Sequence, residues 1–341
     1  MSHIFPASKQ EKFSSALSAP AESGKSAEES VKIEQSILKT YRKRIWNPFI
    51  GALKDYAMIE EGDRIAVCIS GGKDSMLLAK CMQHLQKYSP VSFHVEYLVM
   101  DPGYTAENRR QILENARRLG IPVTLREKRI FEVTAGQEKS PCYLCARMRR
   151  GCLYKLAQEL GCNKIALGHH MDDMIETVLM SMLYGAEVKT MMPKVHSSHY
   201  PGMELIRPLY LVKEADIIAW RDHNHRTFLQ CACRLTEGLA SGRVESKRQE
   251  MKELIRELRR KNPAVDRNIF LSVHNVNLGT VIGFRTETET FPFLSEYGRK
   301  GSAYWNPPQA VPKTEEGALS ASGEQASPSY AGTGGKGESA L

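Results

Sequence analysis

The chain has 341 residues, of which 25% are charged and 42% are hydrophobic. This composition excludes a disordered chain, a collagen-like repeat and a bundle embedded in a membrane. The formal charge is +8, but residues 1–30 carry −1 and residues 306–341 carry −2, which leaves +11 on the middle of the chain. A basic core indicates a polyanionic partner such as nucleic acid, although an ordinary solvated enzyme surface explains the charge equally well.

Helix and strand signals alternate through the middle of the chain. The predicted helices span residues 32–57 with a break near Pro48, then 74–88, 107–119, 142–160 and 172–183. The predicted strands span residues 65–69, 91–100, 122–126, 164–167 and 204–206. This order predicts an α/β fold with a doubly wound, mostly parallel five-stranded sheet, preceded by a helical lead-in. Ligands of such sheets bind at the carboxyl ends of the strands, so the loops after Ile69, Met100 and Leu167 should share one crevice.

The composition divides the chain into four expected regions. Residues 1–30 and 306–341 are rich in small and polar residues and are expected to be disordered tails. Residues 31–225 are the expected α/β domain. Residues 226–305 are an expected C-terminal extension that carries a second cysteine pair and a basic helix.

The cellular location is predicted from the N-terminal residues and from the cysteine count. Residues 1–30 have no apolar core run and no Arg, so neither a signal peptide nor a transit peptide is expected. No apolar stretch reaches the ~18 residues that a membrane span needs. The expected location is cytoplasmic, with no membrane partner. Thiols stay reduced there, so the clustered cysteines among the eight indicate metal or sulfur chemistry rather than disulfides.

A glycine-rich loop joins the first predicted strand to its helix, with the sequence Ser70-Gly71-Gly72-Lys73-Asp74-Ser75. Glycines let backbone N–H groups approach an anion, and the following helix directs its positive end to the same place. Lys73 adds a positive charge. The loop has neither the G-x-x-x-x-G-K-[ST] nor the G-x-G-x-x-G spacing. It therefore predicts a phosphate site of another type, and the alternative is a turn without a ligand.

A second motif, Gly168-His169-His170-Met171-Asp172-Asp173, follows the fourth predicted strand and begins a helix. Its N–H groups and carboxylates could hold ribose, phosphate or Mg²⁺, or the aspartates could merely cap the helix. Together with the glycine-rich loop it resembles the N-type (PP-loop) ATP pyrophosphatases, which have an adenine nucleotide alpha hydrolase-like fold. That family cleaves ATP between the α- and β-phosphates and transfers AMP to an oxygen of the substrate. The resemblance implies that residues 31–225 form this ATP-binding domain.

The resemblance also assigns the ATP site residue by residue. It implies that Lys73 and Asp74 are the catalytic residues and that Mg²⁺ accompanies ATP. The remaining ATP-binding residues that it implies are Ser70, Gly71, Gly72, Ser75, Asp101, Gly168, Asp172, Asp173 and Arg207.

Four cysteines form two pairs, a C-x-x-C at Cys142 and Cys145 and a C-x-C at Cys231 and Cys233. The first pair lies at the start of a predicted helix, where the positive helix end stabilises thiolates. From their spacing the four thiols could bind zinc, anchor an iron–sulfur cluster, act as a redox pair or remain uncoordinated in the core.

The sequence P-C-x-L-C-x-R-x-R-R-G around the first pair, taken with the two motifs above, resembles the tRNA 2-thiocytidine synthetases over residues 32–275. This resemblance implies a [4Fe-4S] cluster held by Cys142, Cys145 and one cysteine of the second pair. The family's second site is usually P-C-x-x-C, whereas this chain has Gln230-Cys231-Ala232-Cys233. We prefer Cys231 as the third ligand, because residues 227–230 lead into it as the family's strand would.

The resemblance implies an ATP-dependent tRNA sulfurtransferase. Such an enzyme adenylates the C2 oxygen of cytidine 32 in the anticodon loop and replaces AMP with sulfur. The implied partners are tRNA and a cysteine desulfurase or other sulfur donor, and a homodimer is suggested. Arg147, Arg149 and Arg150 flank the first cysteine pair and are expected to bind tRNA phosphates. The basic helix at residues 247–261 is instead expected to be a solvated face.

Three alternative functions remain open at this point. A lysidine-type or amide ligase adds nitrogen to an adenylated carbonyl, but it needs no cysteine cluster. A thiolase that acts on another tRNA base would share the same motifs. A nucleotide-binding sensor could use iron–sulfur or zinc as a switch, and tRNA-stimulated turnover of ATP to AMP would separate an enzyme from such a sensor.

Overall fold

A computed structural model of the chain describes residues 23–131, 141–229, 247–286 and 288–294. These residues divide into two compact units, one that ends at Asn275 and one that begins at Val276. The helices of the first unit are α1 (Ser23–Gln35), α2 (Asn47–Asp55), α3 (Lys73–Tyr88), α4 (Ala106–Leu119), α5 (Pro141–Glu159), α6 (Met171–Gly185), α7 (Glu214–His223), α8 (Lys247–Lys261) and α9 (Val265–Ser272). Its strands are β1 (Arg64–Ile69), β2 (His94–Asp101), β3 (Val123–Glu127), β4 (Lys164–Ala166), β5 (Lys194–His196) and β6 (Glu204–Ile206).

The sheet of the first unit has six strands in the order β3-β2-β1-β4-β6-β5. All neighbouring strands are parallel except β5, which pairs antiparallel with β6. The predicted doubly wound, mostly parallel sheet is confirmed, but the predicted number of five strands is wrong. The additional strand β5 is a three-residue edge strand with the sequence Lys-Val-His, so it lacks the apolar run that identifies a buried strand.

The strand order reverses at β1, which places the ligand crevice of the fold at this point. β1 is the first strand along the chain, and it lies between β2 and β4. Its residues Ile65 to Val67 are fully buried, as a central parallel strand with both faces covered requires. In open α/β sheets, ligands bind outside the carboxyl ends of the strands where the order reverses. The loops after β1 and β4 therefore border the expected crevice.

The lead-in is helical, but part of it lies in the segment predicted to be a tail. The chain is already helical from Ser23. Ser26 Oγ donates a hydrogen bond to the carbonyl of Arg117 at 3.2 Å, and Ser30 Oγ donates one to the carbonyl of Leu119 at 2.8 Å. These carbonyls lie in the last turn of α4, so α1 satisfies groups that the end of a helix leaves unpaired. Composition alone did not predict that residues 23–30 are helical, because the contacts that hold them join residues about 90 positions apart.

The predicted break near Pro48 has a specific form. The chain makes two short π-helical turns, Ser36–Thr40 and Arg42–Trp46, before α2 begins at Asn47. Pro48 lies in the first turn of α2, where a missing N–H costs no helical hydrogen bond.

The second unit is small in its described part. It contains a 3₁₀ turn (Leu278–Thr280) and an antiparallel hairpin of β7 (Gly283–Arg285) and β8 (Thr290–Pro292). Phe284 and Phe291 stack across the hairpin with ring centroids 4.6 Å apart. Helices α8 and α9, which the sequence assigns to the extension, belong to the first unit. In the part of the chain that the structure describes, we find no helix whose length and apolar character would suit a bilayer crossing.

Candidate active site

The phosphate loop joins β1 to α3 at the carboxyl edge of the sheet. Gly71 has a φ of +87°, which side chains rarely adopt, and a Cβ there would lie 2.6 Å from Cγ1 of Ile112. Ser70 N donates to Ser75 Oγ at 3.2 Å, and Ser75 Oγ donates to the carbonyl of Gly72 at 3.0 Å. The loop is therefore closed on itself by its two serines. Gly72 precedes α3 and has no side chain with which to cap it, so the first N–H groups of α3 suit an anion.

Lys73 carries the positive charge of this loop. Its Nζ lies 3.2 Å from the carboxylate of Asp74 and 3.0 Å from Oε1 of Glu214. Burial alone would lower the pKa of Lys73, but the charges of Asp74 and Glu214 outweigh it and raise that pKa above its usual value. Lys73 is therefore charged at neutral pH, as a phosphate ligand must be.

The second motif meets the phosphate loop directly. A Cβ on Gly168 would lie 3.0 Å from the backbone of both Asp74 and Ser75, so only glycine permits this approach. The two histidines that follow are largely buried. Burial lowers the pKa of His169 to about 4, so this ring is neutral at pH 7. Its buried Nδ1 has no hydrogen-bond partner among the residues with described positions.

The two aspartates of the motif each hold the start of a helix. Asp173 Oδ2 accepts a hydrogen bond from the backbone N–H of His170 at 3.0 Å, at the beginning of α6. Asp172 Oδ2 accepts one from the backbone N–H of Glu214 at 2.7 Å, at the beginning of α7. The capping role left open by the sequence is therefore present for Asp173, whereas Asp172 holds the start of a different helix, α7. Asp173 also lines the cleft described below, where its carboxylate could serve a ligand as well.

Asp101 lies at the end of β2 and is fully buried. Its Oδ1 accepts hydrogen bonds from the N–H groups of Gly103 at 2.8 Å and Tyr104 at 2.6 Å, and Arg109 Nε lies 2.7 Å from its Oδ2. The side chain thus holds the turn that follows β2. The cleft is lined next to it by Met100.

Arg207 lies just after β6 and is also buried. Its guanidinium donates to the carbonyl of Met192. Burial, and then the charge of Arg150, lowers the pKa of Arg207 to about 10.

Helix α8 is not the solvated face that its composition predicts. Arg248 Nη1 lies 2.9 Å from the carboxylates of both Asp173 and Glu176. Lys252 Nζ lies 3.6 Å from Glu176 and 3.3 Å from Glu214. Arg259 is paired with Asp172 and lies 2.8 Å from Asp266. One basic stripe of α8 therefore neutralises the acidic start of α6 and α7.

Sequence reasoning missed Glu214, Arg248 and Lys252 as residues of the site. A signal for the two cations was present in their spacing. Residues 248, 252 and 259 fall on one face of a helix, beside the buried side chains of Met251 and Ile255. Cations that adjoin the apolar stripe of a helix pack against its neighbour, whereas cations opposite the stripe face water.

A cleft of about 460 Å³ opens at the carboxyl ends of β1 and β4, within the size range of ligand sites. Ser70 and Lys73 line it from the phosphate loop, and His169 lines it from the second motif. Arg149 and Arg150 line it from α5, the helix that begins with the first cysteine pair. Arg147 is exposed on the same helix. The structure thus brings six of the predicted nucleotide residues and two of the three predicted RNA-binding arginines to one cleft. The other predicted nucleotide residues do not line it: Gly71, Gly72, Asp101, Asp172 and Arg207.

The cysteine site is described only in part. Cys145 is buried at the fifth residue of α5, whereas the side chain of Cys142 and all of Cys231 and Cys233 lie outside the described residues. The described chain reaches the phosphate loop at Leu229, whose N–H donates to the carbonyl of Gly71 at 3.2 Å, two residues before Cys231. The positive end of a helix stabilises a thiolate, which is the ligand form that iron–sulfur clusters take, so the position of Cys145 near the start of α5 is compatible with such a group.

Comparison with known proteins identifies the family. The PP-loop domain family matches residues 32–233, more than half of the chain. The tRNA-cytidine(32) 2-sulfurtransferase of Geobacter metallireducens is 36% identical over 241 residues, which are 70% of this chain and 91% of that protein. The protein of the same name from Geotalea uraniireducens is 38% identical over 237 residues, 68% of this chain and 91% of that protein. The chain belongs to the tRNA-cytidine(32) 2-sulfurtransferase family.

A solved structure supports the fold of this family assignment. The U34-tRNA thiolase NcsA from Methanococcus maripaludis, determined with its [4Fe-4S] cluster, matches with a TM-score of 0.54 and 19% identity. The match covers 67% of this chain and 76% of NcsA, and at this identity it shows a shared fold. Membership of the tRNA-cytidine(32) 2-sulfurtransferase family confirms the resemblance inferred from the two motifs and the first cysteine pair. Because the family is one of transferases, the predicted enzyme class is confirmed over the non-enzymatic sensor.

Proposed function

We propose that this chain adenylates the C2 oxygen of cytidine 32 in the anticodon loop of tRNA, at the expense of ATP, and then replaces the adenylated oxygen with sulfur. One structural observation supports the proposal independently of the similarity to known proteins. The phosphate loop and the arginines of the cysteine-bearing helix α5 line a single cleft. A nucleotide on the loop and an RNA phosphate on the arginines would therefore be neighbours.

The phosphate loop holds the β- and γ-phosphates of ATP in this proposal. The N–H groups at the start of α3 and the charged Lys73 neutralise them, so pyrophosphate leaves when the C2 oxygen attacks the α-phosphorus. Asp74 and Asp173 would hold Mg²⁺, because this ion prefers carboxylate oxygens. The Nδ1 of His169, for which the described part of the chain offers no hydrogen-bond partner, supplies a hydrogen bond to the nucleotide or the base. Gly168 and Asp172 keep the site in shape without contacting the ligand. Gly168 lets the second motif approach the phosphate loop, and Asp172 holds the start of α7.

The tRNA occupies the basic side of the cleft. Arg149 and Arg150 line the cleft, and the charge of Arg150 acts on the buried Arg207. An anticodon loop is single-stranded, so its base can turn out of the stack and enter the cleft. Arg147, which is exposed, contacts the RNA backbone alone. Arg149 and Arg150 line the same cleft as Lys73, so in this proposal they serve both substrates.

Sulfur delivery is assigned to the cysteine pairs. Cys142, Cys145 and one of Cys231 and Cys233, with Cys231 preferred, would hold a [4Fe-4S] cluster. When bound, such a cluster supplies an iron without a protein ligand, at which sulfur from a donor such as a cysteine desulfurase can be carried. The position of Cys145 at the start of the same helix that carries Arg149 supports delivery into the cleft. We further propose that the enzyme acts in the cytoplasm as a homodimer.

The test compares nucleoside digests of tRNA from cells with and without this gene. We expect 2-thiocytidine to disappear and to return with the wild-type gene, but not with the Cys145→Ala variant. Loss of a thiolated uridine instead would favour a thiolase for another base, and loss of a lysidine-type nucleoside would favour the ligase alternative. If no modified nucleoside changes, the proposal is wrong.

A further inference from the structure

Glu214 lies between two lysines at the wall of the cleft. Its Oε1 is 3.0 Å from Nζ of Lys73, and its Oε2 is 3.3 Å from Nζ of Lys252. Lys73 belongs to the phosphate loop and Lys252 to α8, and all three side chains line the cleft. A carboxylate that bridges two ammonium groups through its two oxygens makes the contacts that two phosphate oxygens would make.

The charge of Glu214 is fixed at neutral pH by its neighbours. Burial alone would raise the pKa of Glu214, but Lys73, His170 and Lys252 lower it to about 2. Glu214 is therefore an anion. Its side chain is 22% exposed, that of Lys73 is 19% exposed and that of Lys252 is 35% exposed, so solvent and small ligands reach all three.

Lys252 differs from the two arginines on its stripe of α8. Arg248 lies 2.9 Å from two carboxylates, and Arg259 lies 2.8 Å from Asp266 and is also paired with Asp172, so both arginines are held by short contacts. Lys252 makes longer contacts, at 3.3 and 3.6 Å. Its ammonium is a compact charge on a flexible stem, which can change partners more easily than a forked guanidinium.

We propose that Lys252 is a second phosphate-binding lysine of the ATP site, and that Glu214 is an internal anion which the phosphates of ATP displace from Lys73 and Lys252. That the bound nucleotide is ATP rests on the proposed function. After displacement, Glu176 keeps Arg248 at 2.9 Å as its partner. Glu214 is the first residue of α7, where the positive helix end stabilises a carboxylate that has lost its lysines.

The experiment measures equilibrium binding of ATP, pyrophosphate and adenosine to the full chain purified without oxygen. We expect Lys252→Ala to raise the Kd for ATP and for pyrophosphate about tenfold, because one charge-assisted contact is lost. Adenosine, which has no phosphate, should bind as to the wild type. The matched control is Lys261→Ala, an exposed lysine on the same helix about 13 Å farther along its axis, which should change nothing. Glu214→Gln should tighten pyrophosphate binding severalfold, because the competing anion is gone.

Each outcome decides the inference. If Lys252→Ala binds pyrophosphate as tightly as the wild type, or weakens adenosine to the same extent, Lys252 is not a phosphate ligand. If Glu214→Gln binds pyrophosphate no more tightly than the wild type, the proposal that phosphates displace Glu214 is wrong. The binding assay involves no tRNA, so a failure of cytidine thiolation would leave this inference standing. Conversely, thiolation could be intact while Lys252→Ala binds ATP normally, and then only this inference falls.

Discussion

Helices α3 and α6 begin beside each other at the carboxyl edge of the sheet, and their starts are built in opposite ways. α3 begins after Gly72 with a lysine, and its N-terminal N–H groups are left for an anion. α6 begins with two aspartates: Asp173 accepts the N–H of His170 at the start of α6, and both aspartates pair with cations of α8. The positive end of α3 thus suits a ligand from outside, whereas that of α6 is neutralised from within. ATP phosphates should therefore bind at α3, and α6 should act mainly as a scaffold that also places Asp173 at the cleft.

The largest effect is expected at the start of α3. Lys73→Ala should lower the rate of AMP and pyrophosphate formation by about 100- to 1000-fold, because the transition-state charge on the phosphates loses its nearest cation. Lys87→Ala is the control, since this exposed lysine lies at the far end of the same helix. Steady-state release of pyrophosphate measures both. Full turnover of Lys73→Ala would remove the phosphate loop from the mechanism.

A smaller effect is expected from the shape of the loop. Gly71→Ala and Gly62→Ala both place a side chain at positive φ, which costs about 1–2 kcal/mol. A Cβ at Gly62 meets nothing within 4 Å, whereas one at Gly71 meets Ile112, so Gly71→Ala should lose about 1–3 kcal/mol more in the free energy of unfolding. Urea denaturation measures the difference. Equal losses for the two variants would show that the loop can relax away from α4.

The contrast between α3 and α6 also shows what the sequence could predict. The phosphate loop was predictable because its glycines, lysine and serines are contiguous, and their chemistry depends on local geometry. Lys252 and Glu214 lie on separate helices and meet Lys73 only in the folded chain. β5 escaped prediction because an edge strand of three residues has no periodic pattern. The helix at Ser23 to Ser30 is held by carbonyls at the end of α4, and the composition of the segment itself carries no sign of these distant partners.

The scaffold role of α6 predicts a moderate, pH-dependent effect. Burial raises the pKa of Glu176, and Lys252 and Arg248 oppose that shift. Arg248→Ala should lower the free energy of unfolding by about 1–2 kcal/mol at neutral pH. This loss is smaller than that from breaking a fully buried ion pair, because Lys252 remains 3.6 Å from Glu176. A carboxyl with a raised folded-state pKa loses stability as pH rises above the ordinary glutamate value towards the raised one.

The loss in the free energy of unfolding that Arg248→Ala causes should therefore be larger at pH 8 than at pH 5. Denaturation curves at the two pH values measure it, with the exposed Arg256→Ala on α8 as the control. A loss that is the same at both pH values would mean that Glu176 is not the group that Arg248 neutralises.

The smallest effect is expected at the rim of the cleft. Arg147→Ala should weaken tRNA binding a few-fold and reduce the salt dependence of binding by about one phosphate contact, with no change in ATP affinity. Arg150→Ala should weaken both ligands, because Arg150 lines the same cleft as Lys73. Filter binding over a range of salt concentrations separates the two. An Arg150→Ala variant with normal ATP affinity would place the nucleotide away from α5.

The central claim is that ATP bound at α3 drives sulfur transfer to cytidine 32. It is tested most directly by incubating an unmodified tRNA transcript, without oxygen, with the cluster-loaded protein, Mg-ATP and sulfide, followed by mass spectrometry of the nucleosides. We expect one 2-thiocytidine, at position 32, for each AMP released, and neither product with Lys73→Ala. Thiolation that proceeds without ATP, or AMP release that leaves every cytidine unmodified, would contradict the claim.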